Sequence, residues 1–179
     1  MANSAPASTL DVRRVRQVAQ SELEALADVL VDCVEGGASV SFMLPMTRAK
    51  ALAFWRDVAG GVARSERALM VVEDAQGIAG TVQLILAQPE NQPHRADVAK
   101  MLVHRRARRQ GAGAALMRAA ECEALAEGKT LLVLDTADDT AARLYARLGW
   151  QAVGTIPRYA LLPAGGECAT TYFYRPLVA

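Results

Sequence analysis

The stretch RRARRQGAGAAL, Arg105 to Leu116, places four arginines in five positions, then two glycines two apart, then an alanine-rich run. Three readings compete for it: a nucleic-acid patch, a solvated charge run on a surface turn, or a loop shaped to hold a phosphate. Bulk charge decides against the first. The chain carries 20 Lys and Arg against 19 Asp and Glu, a net charge of +1. A nucleic-acid binder shows a broad basic surplus, often with interleaved aromatics. Here the arginines are a local feature.

Working outward, the residues on either side change period. ADVAKMLV, ending at Val103, reads as a strand, and Gly111 to Glu127 reads as a helix with Ala112, Ala115, Leu116, Ala119 and Ala120 on one face. TLLVL, Thr130 to Leu134, is a short continuous apolar run, expected of a strand covered on both faces. The glycines therefore fall at a strand-to-helix junction inside a parallel strand–helix–strand crossover. The first amides of a helix lack partners and its dipole favours an anion there. A glycine removes the side chain that would hold a phosphate off the backbone. A pyrophosphate cradle and a plain surface turn both remain open on this ground alone. Neither G-x-G-x-x-G nor G-x-x-x-x-G-K-[ST] occurs.

The remaining elements complete one domain. Asp11 to Val15 is a candidate first strand, and Ser21 to Val34 a helix stopped by Gly36 and Gly37. GGASVSFM, Gly36 to Met43, is a loop, and a second helix follows Pro45 and ends near Gly60 and Gly61. Ala68 to Val72 and Ile78 to Leu86 are strands around the turn EDAQG. Asp138 to Leu148 is a helix closed by Gly149, and Trp150 to Leu161 pairs with Ala169 to Tyr174 in a last hairpin. The order β-α-α-β-β-β-α-β-α-β-β predicts a mixed sheet with helices packed on it. At 179 residues with 52% apolar and 22% charged, the chain has enough apolar content for a proper core. MANSAPASTL has neither a positive nor an apolar signal region and reads as a flexible tail over residues 1–10, with the domain over 11–179. No run has the length to span a bilayer, so a membrane is not an expected partner. Cys33, Cys122 and Cys168 are odd in number and widely spaced, which favours reduced thiols and a cytoplasmic location. His94 and His104 lack cysteine partners, so no metal is expected.

Three elements at fixed places around the junction carry a resemblance. Arg108-Arg109-Gln110-Gly111-Ala112-Gly113 fits [QR]-x-x-G-x-[GA]; ADVAKMLV fits the preceding acidic–apolar strand pattern; Ala141, Tyr145, Gly149 and Trp150 fit A-x-x-x-Y-x-x-x-G-[FW]. In these features the chain resembles the GNAT superfamily of N-acetyltransferases. The resemblance implies an α/β (α+β type) fold, mostly antiparallel, with a central splayed parallel strand pair and helices on both faces. It implies acetyl-CoA as cofactor and direct acetyl transfer to an amine in a ternary complex. The pantetheine arm would pair with Met101, Leu102 and Val103, and the pyrophosphate would lie on Arg108, Arg109, Gln110, Gly111, Ala112, Gly113 and Ala114. Asp138 stands where many members carry Asn and is a candidate cofactor or helix-start contact.

Acetyl transfer needs a neutral amine, a stabilised oxyanion and a protonated leaving thiolate. Tyr145, a phenol with an ordinary pKa of about 10, is the candidate acid, with a core tyrosine as the alternative. Asp97 and Asp135 are the candidate bases. Asp97 alternatively pairs with Arg95 or Lys100, and Asp135 alternatively serves a turn or cap beside Thr136. Ser39, Ser41 and Phe42 of GGASVSFM are candidate substrate contacts, against an ordinary helix–helix turn. With ADVAKMLV and Leu134-Asp135-Thr136, that loop is similar to the small acetyltransferases that confer tabtoxin resistance, which implies a small amino-acid-like or antibiotic-like primary amine. A protein or peptide N-acetyltransferase and a non-catalytic acyl-CoA binder remain alternatives. Tyr172, Phe173 and Tyr174 either build a homodimer edge or finish the sheet.

Overall fold

The computed structural model describes residues 10–178; the expected tail lies, Leu10 apart, outside the described residues. The elements are β1 (Asp11–Val15), α1 (Gln20–Glu35), α2 (Arg48–Ala63), β2 (Arg67–Asp74), β3 (Gly77–Ile85), β4 (Arg95–Val103), a short 3₁₀ turn (Arg105–Ala107), α3 (Ala112–Ala126), β5 (Leu131–Thr136), α4 (Asp139–Arg147), β6 (Gln151–Leu161) and β7 (Glu167–Pro176). This is the order the hydrophobic periods predict, with ends moved by a residue or two.

One seven-stranded sheet runs β1-β2-β3-β4-β5-β7-β6, and β4–β5 is its parallel pair. Alternation along the strands sorts side chains into two cores. Met70 and Val72 of β2, Val82 and Leu84 of β3, and Leu132 and Leu134 of β5 join α3 on one face. Leu69 and Val71 of β2 join Leu26, Leu30 and Trp55 of α1 and α2 on the other. Residues 68–72 are therefore all buried, as a strand covered on both faces must be. The helices lie on both faces of a mostly antiparallel sheet, the expected architecture.

Four irregularities interrupt the ladders, and two of them shape the site. In β4, Lys100 has φ 50°, and the pairing with β3 shifts there, so Lys100 and Met101 stand opposite Val82 alone. This bulge turns the strand's second half. In β6, Pro157, Arg158 and Tyr159 stand opposite Ala169 alone, with Arg158 at φ 56°. Proline cannot donate to a ladder and is at home on such an edge.

Candidate active site

The site begins where β4 and β5 part. Arg95, Ala96 and Asp97 pair with Leu131, Leu132 and Val133, and the parallel ladder ends there. Residues 98–103 and 134–136 run on without pairing to each other. The gap so formed is bounded by the bulge at Lys100, the turn into α3 and the end of β5.

The turn into α3 explains the glycines. Gly111 caps α3 at φ 89°, with open space around the position of an added Cβ. A left-handed backbone there favours glycine. Gly113 answers a different need: a Cβ would meet Leu144 Cδ2 at 3.0 Å, so glycine lets α4 close on α3. The first helical bond of α3 runs from the Ala115 amide to the Gly111 carbonyl at 3.0 Å, so the amides of Ala112, Gly113 and Ala114 precede it. Among the described residues no side chain caps them. By contrast, Thr47 caps α2 by accepting from the Lys50 amide, and Asp138 caps α4 by accepting from the Ala141 amide at 2.8 Å. Asp138 thus holds a helix start. An uncapped helix N-terminus beside exposed Arg108 and Arg109 is suited to an anion.

The four arginines divide by role. The Arg105 amide and guanidinium donate to Asp32 at 2.8 and 2.7 Å, and Arg106 donates to Asp74 and to the Ile78 carbonyl. Arg108 donates to the Val103 carbonyl at 3.0 Å, fixing the end of β4. Arg109, at φ 62°, is exposed. Asp32 is buried at the end of α1 with His104 at 3.6 Å. Burial alone would push its carboxyl up; the bonds from Arg105, with the His104 and Arg105 charges, hold it below its ordinary value.

Tyr145 is 5% exposed, its ring edge-on to Phe173 at 5.8 Å and tilted to Trp150 at 6.0 Å. Burial raises its phenol well above the ordinary value, and the Asp138 and Asp135 carboxylates raise it further. It stays protonated across the neutral range. Asp97, in register with Val133, and Asp135, two residues beyond Val133, lie on the face toward α1 and α2. Asp97 accepts from Arg95 at 2.7 Å and Gln88 at 3.1 Å, so the alternative pairing with Arg95 is present. Asp135 accepts from Thr170 at 2.7 Å. Both carboxylates act on Tyr172 of β7, whose phenol is pushed up to about 12, first by its bond with Tyr159 and then by burial. The two hydroxyls are 2.8 Å apart.

The α1–α2 loop closes this face. The Ser39 hydroxyl donates to the Leu161 carbonyl at 3.3 Å, and the Leu44 amide donates to the Pro163 carbonyl at 3.0 Å, bridging the loop to the β6–β7 turn. Ser39 therefore fastens the loop. Ser41 accepts from Lys100 at 3.2 Å, and the Phe42 ring stands edge-on to Phe54 at 5.2 Å. From sequence, Lys100 is expected only as a partner for Asp97, and Tyr159 carries no expected role. The strand motif contains Lys100, and the sign of a bulge in it is that this lysine falls three residues after Asp97, out of step with a two-residue period. Pro157 was the one signal that β6 departs from a regular strand near Tyr159.

Comparison with known proteins agrees with this geometry. The family model of the acetyltransferase (GNAT) domain matches residues 65–152. The N-acetyltransferase of Staphylococcus aureus Mu50 superposes with a TM-score of 0.78 at 17% identity, over 96% of this chain and 100% of that one. A GNAT superfamily phosphinothricin acetyltransferase from Sinorhizobium meliloti, solved in complex with AcCoA, gives 0.77 at 17% identity, over 94% and 89%. The ribosomal-protein-alanine N-acetyltransferase of Brucella melitensis gives 0.76 at 19%, over 94% and 100%. At such identities these neighbours speak for the fold, while the family match spans the bulged strand, the glycine turn and the Tyr145 helix. Over residues 65–152 the chain is similar to the acetyltransferase (GNAT) domain, and its fold is that of the solved N-acetyltransferases.

Proposed function

We propose that this enzyme transfers the acetyl group of acetyl-CoA directly to the primary amine of a small amino-acid-like acceptor within a ternary complex. The observation that carries the reading is the parting of β4 and β5 beyond Asp97 and Val133, with the uncapped start of α3 at its mouth. The residues suit the cosubstrate: the amides of 112–114 and Arg109 would hold its pyrophosphate, and the unpaired edge of Met101–Val103 its pantetheine. A neighbour of the same fold carries AcCoA. The cosubstrate supplies the activated acetyl group.

The chain's own groups do the rest. A primary α-amine has a pKa of about 8 and must lose a proton to attack. Asp135, exposed and on the acceptor face, is placed to receive that proton directly or through a water. Asp97 is already bonded twice and is better placed to hold Arg95 and Gln88. Tyr145, kept protonated by burial, donates to the departing thiolate. The α1–α2 loop, bridged to the β6–β7 turn, favours a small acceptor over an extended peptide.

The test is an amine and peptide screen with acetyl-CoA, followed by variants. Tyr145→Phe is expected to lower kcat about 100-fold or more with both KM values little changed, the scale of a lost general acid. Asp135→Asn should cost more kcat than Asp97→Asn. Normal kcat and KM in all three variants would overturn the assignment.

A further inference from the structure

On the face toward α1 and α2, several donors around the β4 bulge lack charged or hydrogen-bonding partners among the described residues. Lys100 is half-buried, at φ 50°, and its Nζ meets only the Ser41 hydroxyl at 3.2 Å and the Phe54 ring at 5.8 Å. No ion pair forms to it among the described residues, although Asp135 is close enough to be felt. Arg67 also lies within electrostatic reach and binds Gln83 Oε1 at 3.1 Å, again without an ion pair among the described residues. Gln83 pairs with Ala99, one residue before Lys100, and is 0% exposed; its Nε2 has no hydrogen-bond partner. Nearby cations show the contrasting treatment: Arg95 of β4 and Arg106 of the 3₁₀ turn are each paired with a carboxylate. A half-buried cation without a counter-charge and an unpartnered buried amide are both costly. Holding Lys100 in a left-handed backbone adds to that cost. Asp135 offers a carboxylate on the same face, beyond the splayed ladder.

We infer that Lys100, backed by Arg67 and the free amide of Gln83, binds the acid group of the acceptor, so that the acceptor is a zwitterion whose carboxylate meets Lys100 and whose amine meets Asp135. This rests on the acetyltransferase reading above. Burial lowers the Lys100 pKa, and an arriving carboxylate would offset that burial by supplying the missing counter-charge. The turn at Arg109–Ala114 is a separate element, so the anion bound here belongs to the acceptor rather than to the cosubstrate.

The experiment compares free L-amino acids with their carboxamides, by acetylation kinetics and by calorimetric binding to CoA-saturated protein. The acids are expected to exceed their amides by about tenfold or more in kcat/KM, the worth of one charge-assisted hydrogen bond. Lys100→Gln should bring that ratio to about one through acceptor KM, and Lys100→Arg should keep most of it. If Lys100→Gln melts early, Arg67→Gln is expected to reduce the ratio several-fold. Equal use of acids and amides by the wild type, or an unchanged ratio in Lys100→Gln, overturns the inference while leaving acetyl transfer intact. Failure of acetylation with every amine would instead strike the functional reading. The binding arm then decides: acid-selective binding lost in Lys100→Gln upholds the anchor, and its absence overturns it.

Discussion

The two sides of the gap are built by opposite means. The glycine turn is local: residues 108–114 create an uncapped helix start from consecutive backbone, with Arg109 and Gly111 both left-handed. The face toward α1 and α2 is assembled from afar. Ser41, Lys100, Asp135 and Tyr159 come from a loop and three strands, and hydrogen bonds between distant segments hold that loop in place. A local device tolerates change around it and fails when one residue changes. A distributed face changes by degrees.

The largest effect is therefore expected at Gly111. For the wild type at acetyl-CoA about 100-fold above Kd, linkage gives about 2.7 kcal/mol of stabilisation. At roughly 2–4 °C per kcal/mol for a chain of this size, the melting temperature rises by about 5–11 °C. Gly111→Glu places a charged side chain on a left-handed residue in the space an anion would occupy, and should abolish the rise. Gly111→Ala fits sterically, at a backbone cost of about 1–2 kcal/mol, and should retain part of it. An undiminished rise in the glutamate variant would sink the comparison, because the turn would then be no anion site.

Asp32 joins the two regions, since it sits in the last turns of α1 and binds Arg105 at the start of the turn. Asp32→Asn is expected to destabilise the protein by about 1–2 kcal/mol; the Arg105 side chain is 57% exposed, which discounts the pair. Because the folded carboxyl is held below its unfolded value near 3.9, its contribution is fully present above that value. It is lost as pH falls through the folded pKa. Denaturant unfolding of both proteins should thus show a gap at pH 7 that closes below about pH 4. A gap that persists in acid would mean the asparagine acts through packing instead.

This contrast also sets what the sequence could reveal. The turn was legible because its parts are contiguous: a strand pattern, Arg108 to Gly113, and an alanine face on α3. Tyr145 was legible for the same reason, four residues from Ala141 and from Gly149. The element order followed from periodicity. The face toward α1 and α2 was only partly legible. Ser41 and Phe42 stood out as polar and aromatic residues in a glycine-led loop. Ser39 stood out equally, yet its hydroxyl fastens the loop to the hairpin. The bulge at Lys100 has a faint signal: ADVAKMLV contains no glycine, but its polar residues Asp97 and Lys100 are three apart and break a two-residue alternation. Asp138, read as a candidate cofactor or helix-start contact, caps α4, a role that depends only on the three residues after it.

The smallest effect sharpens the comparison most. Phe42 is half-buried, edge-on to Phe54 at 5.2 Å with Lys50 Nζ 5.6 Å from its centroid. An aromatic pair contributes about 0.5–1.5 kcal/mol beyond its area, so Phe42→Ala should raise acceptor KM by about 3–10-fold. Phe42→Leu, which keeps the apolar bulk and loses the edge-on contact, should fall between. Acetyl-CoA KM should move in neither, since the glycine turn is held by its own backbone and by Asp32. Steady-state kinetics with each substrate varied in turn reads the difference directly. A rise in acetyl-CoA KM with acceptor KM unchanged would place the loop on the cosubstrate side, and the division between a local cradle and a distributed acceptor face would have to be redrawn.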